Sequence, residues 1–182
     1  MMKKLIQRLR RFAAENKGVA ALEFAIIAPL LMVPLLLGSV DLIDVMGANK
    51  RAQNAAASLA DVVARDTEVS NAELTGMWRG LEVLMYPNDS GTMQIRISSI
   101  SIVNASTARV VWSEGHGGMA ARQAGATVAL DSRMMTVGTS IIMVESSYSY
   151  DAPLGFLFQN QINMTHNAYR RSRLVDPIPR VP

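Results

Sequence analysis

A chain of 182 residues, 49% apolar and without cysteine, has room for one spanning segment and one modest domain, and cannot hold a disulfide framework, a thiolate metal site or a cysteine nucleophile. Its net charge of +3 sits at one end: residues 1–18 carry Lys3, Lys4, Arg8, Arg10, Arg11 and Lys17 against Glu15 alone, leaving twelve basic and fourteen acidic residues over 19–182. A nucleic-acid binder carries its basic stripe on the folded part, so none is expected here; Lys and Arg ahead of a span instead hold their own end in the cytoplasm and send the remainder across.

The span predicted after this leader runs from Val19 to about Val40. As a helix it measures about 33 Å, matched to a hydrocarbon core of about 30 Å. Three residues are unusual for a passive anchor. Glu23 lies inside the apolar run, where a carboxylate costs on the order of a few kcal/mol and persists when it has a partner. Pro29 and Pro34 each remove a backbone hydrogen bond and tend to kink a helix. A run of about 22 residues is too long for the roughly 7–15 of a secretory signal, and only Gly47-Ala48 offers a weak cleavage site beyond it. An uncleaved anchor, with Glu23 snorkelling toward the cytoplasmic face, is the plain alternative.

The order of the pieces is more telling: a basic leader, Lys17-Gly18, then Val19-Ala20-Ala21-Leu22-Glu23-Phe24 and the apolar run. It resembles the class III, type IV prepilin signal, in which a membrane prepilin peptidase cuts after the glycine on the cytoplasmic side. Glycine suits such a site, because an extended backbone enters a tight cleft without a side-chain clash. The stretch from Gly18 through Pro29-Leu30-Leu31, Gly38 and Asp41-Leu42 to Asn54-Ala55-Ala56 is similar to the TadE-like family, minor pseudopilins of the bacterial tight-adherence (Flp, type IVb) pilus. The resemblance is close over residues 17–66, and Pro34 is a second proline that its pattern does not require. It implies that Gly18 precedes the cut, that Val19 becomes the new N-terminus, and that Glu23, next to Phe24, becomes the fifth mature residue, which promotes assembly by pairing with an α-amino group. Val19 and Glu23 are i,i+4 neighbours on one helix, so the pair can form within one subunit or between staggered ones. The partners implied are a prepilin peptidase, other pilins and pseudopilins, inner-membrane pilus assembly proteins and the bilayer. The place implied is the bacterial inner membrane, with the N-terminus cytoplasmic and a periplasmic C-terminal domain.

Beyond the membrane, alanines at 48, 52, 55, 56, 57, 60 and 64, with apolar residues at Leu42, Val45, Met46, Leu59, Val62 and Val63, predict that the helix continues over 41–66. Such a small-residue stripe suits close packing, either on the chain's own sheet or on another helix. A turn at Asp66–Val69 leads to a capping-box pattern, Ser70 with Glu73. Leu74, Met77, Trp78, Leu81, Leu84 and Met85 then form the apolar face of a second helix, which Pro87–Gly91 ends. Strands are predicted over Met93–Ile102, with a bulge near Ser98-Ser99 where the alternation changes parity, and over Ala108–Trp112, Thr139–Tyr150 and Asn163–Tyr169. Glu114–Gly118 reads as a glycine-rich loop holding a solvated His116, and 177–182 as an irregular proline-rich tail.

The fold class expected is therefore α+β and pilin-like: a leader (1–18), a transmembrane helix (19–40), its extension (41–66), an exported domain with an antiparallel sheet packed on helices (67–176), and the tail (177–182). His116 and His166 are the only histidines, and no HExxH, Gly-x-Ser-x-Gly or telling carboxylate pair accompanies them. No enzyme activity, cofactor or metal is expected. The competing reading is an uncleaved single-span anchor that presents a periplasmic scaffold or binding domain.

Overall fold

Residues 18–182 are described by a computed structural model; apart from Gly18, the basic leader expected over 1–18 lies outside the described residues. Helix α1 spans Val19–Ala64 without interruption, about 69 Å at 1.5 Å per residue. It runs through Pro29 and Pro34, and through Gly47. Its two halves differ in what they touch. From Val19 to Leu37 nearly every side chain is exposed, whereas Ala48, Ala52, Ala56, Ala60 and Ala64, spaced four apart on one face, are fully buried with Ala55, Leu59 and Val63 beside them. That stripe packs against the chain's own sheet, on strands β4 (Ser140–Tyr150) and β5 (Ile162–Arg171). Alanine puts the helix backbone close to the strands, so the sheet side supplies the large side chains.

Helix α2 (Asn71–Met85) begins with the capping box expected of Ser70 and Glu73. The Ser70 hydroxyl accepts from the Glu73 N–H at 3.3 Å, and the Glu73 carboxylate accepts from the Ser70 N–H at 2.7 Å. Leu74, Leu81 and Met85 are buried, with Met77 and Trp78 packed at the core's edge. Leu84 departs from the expected face and is 38% exposed.

The sheet has five antiparallel strands in the order β3-β2-β1-β4-β5. Strand β1 spans Met93–Asn104, β2 Thr107–His116 and β3 Thr127–Val128; β3 was not foreseen. The bulge expected near Ser98-Ser99 belongs to the partner strand instead. Strand β1 keeps an unbroken register with β4, from Met93 opposite Tyr148 to Ser101 opposite Ser140. Against β2 the register jumps from Ser99–Trp112 to Ile100–Val110, which makes Val111 the extra residue. The change of parity in β1 has another cause: both faces of the sheet are covered. Met93, Ile95, Ile97, Ile142 and Val144 face the helices, while Ile100, Ile102, Val110, Ile141 and Met143 form a second core under the segment that follows β3.

Two further expectations are corrected. Glu114, Gly115 and His116 belong to strand β2 and not to a loop, and the His116 ring stacks on Trp78 at 4.7 Å with the planes 6° apart. The C-terminal segment is built into the fold. Val69 forms a parallel bridge with Arg180, Ile178 is fully buried, and the Trp112 indole N–H donates to the Ile178 carbonyl at 2.8 Å. The basic run at Tyr169–Arg173 finds its partner at the end of α1. The Arg173 N–H donates to the Ala64 carbonyl at 2.9 Å, and Asp61 receives Arg65 and Arg173 side chains. Cations gathered at a helix C-terminus also oppose its partial negative charge.

Candidate assembly site on the N-terminal helix

Gly18 stands immediately before α1 with φ −84° and ψ −15°, an ordinary right-handed conformation, and no side chain caps the helix there. A Cβ built on Gly18 would meet nothing within 4 Å. Neither the backbone nor the packing of the described chain therefore calls for glycine at this position. Val19, the first helical residue, is 48% exposed. Glu23 follows one turn later on the same face, about 6 Å further along the axis, and is exposed with no ion pair among the described residues. Phe24 beside it is 72% exposed.

The site residues read from the sequence thus fall into two groups. Gly18, Val19, Glu23 and Phe24 share the first two turns of α1. Pro29 and Pro34 lie about 9 Å and 16 Å beyond Glu23 along the axis, exposed on the same apolar cylinder. The most apolar 18-residue window of α1 has none of its length buried by the rest of the chain, and the helix is long and apolar enough to cross a membrane. An apolar surface of this extent needs lipid or other protein around it.

At the other end of the apolar run is an acidic residue to which residue-by-residue reading gave no separate role. Asp41 is fully buried, and its Oδ2 accepts from the backbone N–H groups of Phe156 at 2.7 Å and Leu157 at 2.8 Å. Oδ1 is buried without a protein partner. Close by, burial raises the Tyr150 hydroxyl pKa, and the charges of Asp44 and Asp41 raise it further. A usable signal was present in the sequence: Asp41 is the first charged residue after the run, and 152–161 is an uncharged, apolar segment far down the chain. Only the fold joins them.

Among the described residues no group of three or more His, Asp or Glu side chains is placed to hold a metal ion. His116, Ile95, Ser146 and His166 lie in one row across β2, β1, β4 and β5, so three strand spacings, about 14 Å, separate the two imidazoles. They cannot share a substrate atom.

Among the described residues, fold and site together define an α+β protein with one helix long and apolar enough to anchor it in a membrane, a helix that presents one carboxylate near its start and carries a small sheet domain on its far half. The family model described as TadE-like protein matches residues 18–61, which makes this stretch a TadE-like segment and agrees with the resemblance read from the sequence. The likeness is to a family of structural components of the tight-adherence pilus, and it is confined to this helical segment. No curated protein and no solved structure matches the chain.

Proposed function

We propose that the protein is a minor pseudopilin of a tight-adherence (Flp, type IVb) pilus, cut by a prepilin peptidase between Gly18 and Val19 and taking part in pilus assembly or initiation. The observation that carries this reading is Glu23: one exposed carboxylate in the otherwise apolar, uncovered first half of α1, shortly after a glycine, Gly18, that the chain's own packing does not require. Cleavage after Gly18 creates an ammonium at Val19. In lipid that charge and the Glu23 carboxylate are each unfavourable alone and favourable together. Paired within one helix they neutralise its end; paired between helices they set the axial stagger of one subunit on the next. The basic leader holds the cut site on the cytoplasmic face of the inner membrane, and the sheet domain lies in the periplasm. The partners are the peptidase, other pilins and pseudopilins and the inner-membrane assembly proteins. No catalytic step, cofactor or nucleic acid enters this function.

The test is the N-terminal residue of the protein recovered from membranes, together with pilus formation by variants. The mature chain should begin at Val19. Gly18→Ala should retain the leader, and Glu23→Ala should be cut but fail to support normal pili. A functional protein that keeps its leader would instead favour an uncleaved anchor presenting a scaffold or binding domain.

A further inference from the structure

Between β4 and β5, after the exposed Asp151, the chain reads Ala-Pro-Leu-Gly-Phe-Leu-Phe-Gln-Asn-Gln over 152–161, a stretch without a charge. Both flanks of this loop are tied down: Ala152 is buried, and Phe158 packs on the main core. Its tip is not, since Leu154, Phe156 and Leu157 are 52%, 43% and 52% exposed. Turn residues in a water-facing loop are mostly small or polar, and three large apolar side chains on one tip call for an apolar neighbour.

The tip has a fixed position against α1. The Asp41 carboxylate holds two consecutive amides, Phe156 and Leu157, and hydrogen bonds from backbone N–H to an ionised acceptor are among the stronger kind. Gly155, at φ +60°, makes the turn into these amides in a conformation that favours glycine. The Leu157 side chain lies against Gly38, where an added Cβ would come within 3.1 Å of Leu157 Cδ1. The tip therefore sits level with Gly38–Asp41, at the end of the apolar run, where Leu36, Val40 and Ile43 of α1 are also exposed.

We infer that the Leu154–Leu157 tip is immersed in the same bilayer that α1 crosses, as a second attachment that holds the domain at a set tilt. This rests on the reading of Val19–Val40 as a membrane span. Two features select lipid over a neighbouring chain as the occupant. The tip's apolar surface is continuous with that of the span, and Leu154–Leu157 themselves offer no charge for pairing with a protein partner, the one charge of the loop being Asp151 at its start. Leu and Phe side chains are suited to the boundary between headgroups and acyl chains. Asp41 makes the attachment rigid: a lone helix lets its domain pivot, whereas a loop fastened to that helix at the membrane surface resists tilting in its direction.

The absence of cysteine permits single-site labelling of the full chain in phosphatidylethanolamine–phosphatidylglycerol vesicles. An environment-sensitive fluorophore is placed on Leu154→Cys or Phe156→Cys, with Met32→Cys in the span and Ser106→Cys on the β1–β2 turn as references. Nitroxide-bearing lipids and a soluble quencher are then compared. Labels at 154 and 156 should lose fluorescence to the lipid-borne quencher, as at Met32, and resist the soluble one, unlike Ser106. If Met32 is lipid-quenched while 154 and 156 follow Ser106, the inference fails and the span stands. A Met32 label that lipid does not reach would instead defeat the spanning reading beneath it. Shielding of 154 and 156 from both quenchers would show a protein occupant and overturn the assignment to lipid. Adding Asp41→Ala to the Leu154→Cys protein should weaken its lipid quenching; an unchanged signal would remove Asp41 from the attachment.

Discussion

Single carboxylates do three different things in this protein, according to what surrounds them. Glu73 is half-buried, and hydrogen bonds from the backbone and hydroxyl of Ser70 lower its pKa. Glu145, on the outer face of the sheet, is only 15% exposed, and it takes Arg96 Nε at 2.7 Å and Arg122 Nη2 at 2.7 Å. Burial pushes Glu145 up, but hydrogen bonds and charge from Arg96 and Arg122 outweigh it, so its pKa is lowered. A group lowered in the folded state stabilises fully above its unfolded value and ceases to do so as pH falls through its folded value. Stability should therefore fall as pH drops below the ordinary glutamate value of about 4.3. Glu145→Gln should be less stable than the parent at pH 7 and should lose less on acidification, as read from denaturant unfolding at both pH values. Glu23 is the third case, a carboxylate with no cation beside it among the described residues, and in the proposed function its partner is the ammonium that cleavage after Gly18 would create.

Among the elements, α1 shows how one helix serves two solvents. Its first half keeps large aliphatic side chains on all sides, as a lipid-facing cylinder does, and its second half narrows to alanine where the sheet approaches. The stripe at 48, 52, 56, 60 and 64 has no spare volume, because each of these alanines is fully buried. Ala56→Leu should destabilise the domain by about 1–3 kcal/mol through overpacking. Asn49 lies on the exposed face of the same helix, and Asn49→Leu should stay within about 0.5 kcal/mol of the parent. Unfolding midpoints of the two proteins in the same detergent check the contrast. Strand β2 is the other element with a special feature. Its extra residue, Val111, lets Trp112 face the helices while Val110 faces the outer core.

For the molecule as a whole, the C-terminal segment closes the structure. Arg180 bridges to Val69, its guanidinium meets Glu114 at 3.0 Å, and Ile178 fills a fully buried place beside Trp112. This segment therefore joins the start of α2 to the sheet. Ile178→Ala should cost about 2–5 kcal/mol, far more than expected of an irregular tail. Thermal unfolding followed by Trp fluorescence would record both the lower midpoint and the changed environment of Trp112.

Patterns carried by neighbouring residues were readable before any fold was known. The apolar run, the Gly18–Glu23 spacing, the alanine stripe, the capping box and four of the five strands each depend on a local period or on groups within one or two turns, and the chain's covalent order supplies those directly. The features that escaped that reading join residues far apart. Val111 as the bulge, the outer core of Ile100 and Met143, the stacking of His116 on Trp78, the burial of Ile178 and the hold of Asp41 on the 156–157 amides all depend on which strand lies beside which. That choice belongs to the packing of the complete chain: a side chain's alternation reveals which face it takes, but its partner across that face is selected by shape and hydrogen-bond satisfaction once sheet and helices have met.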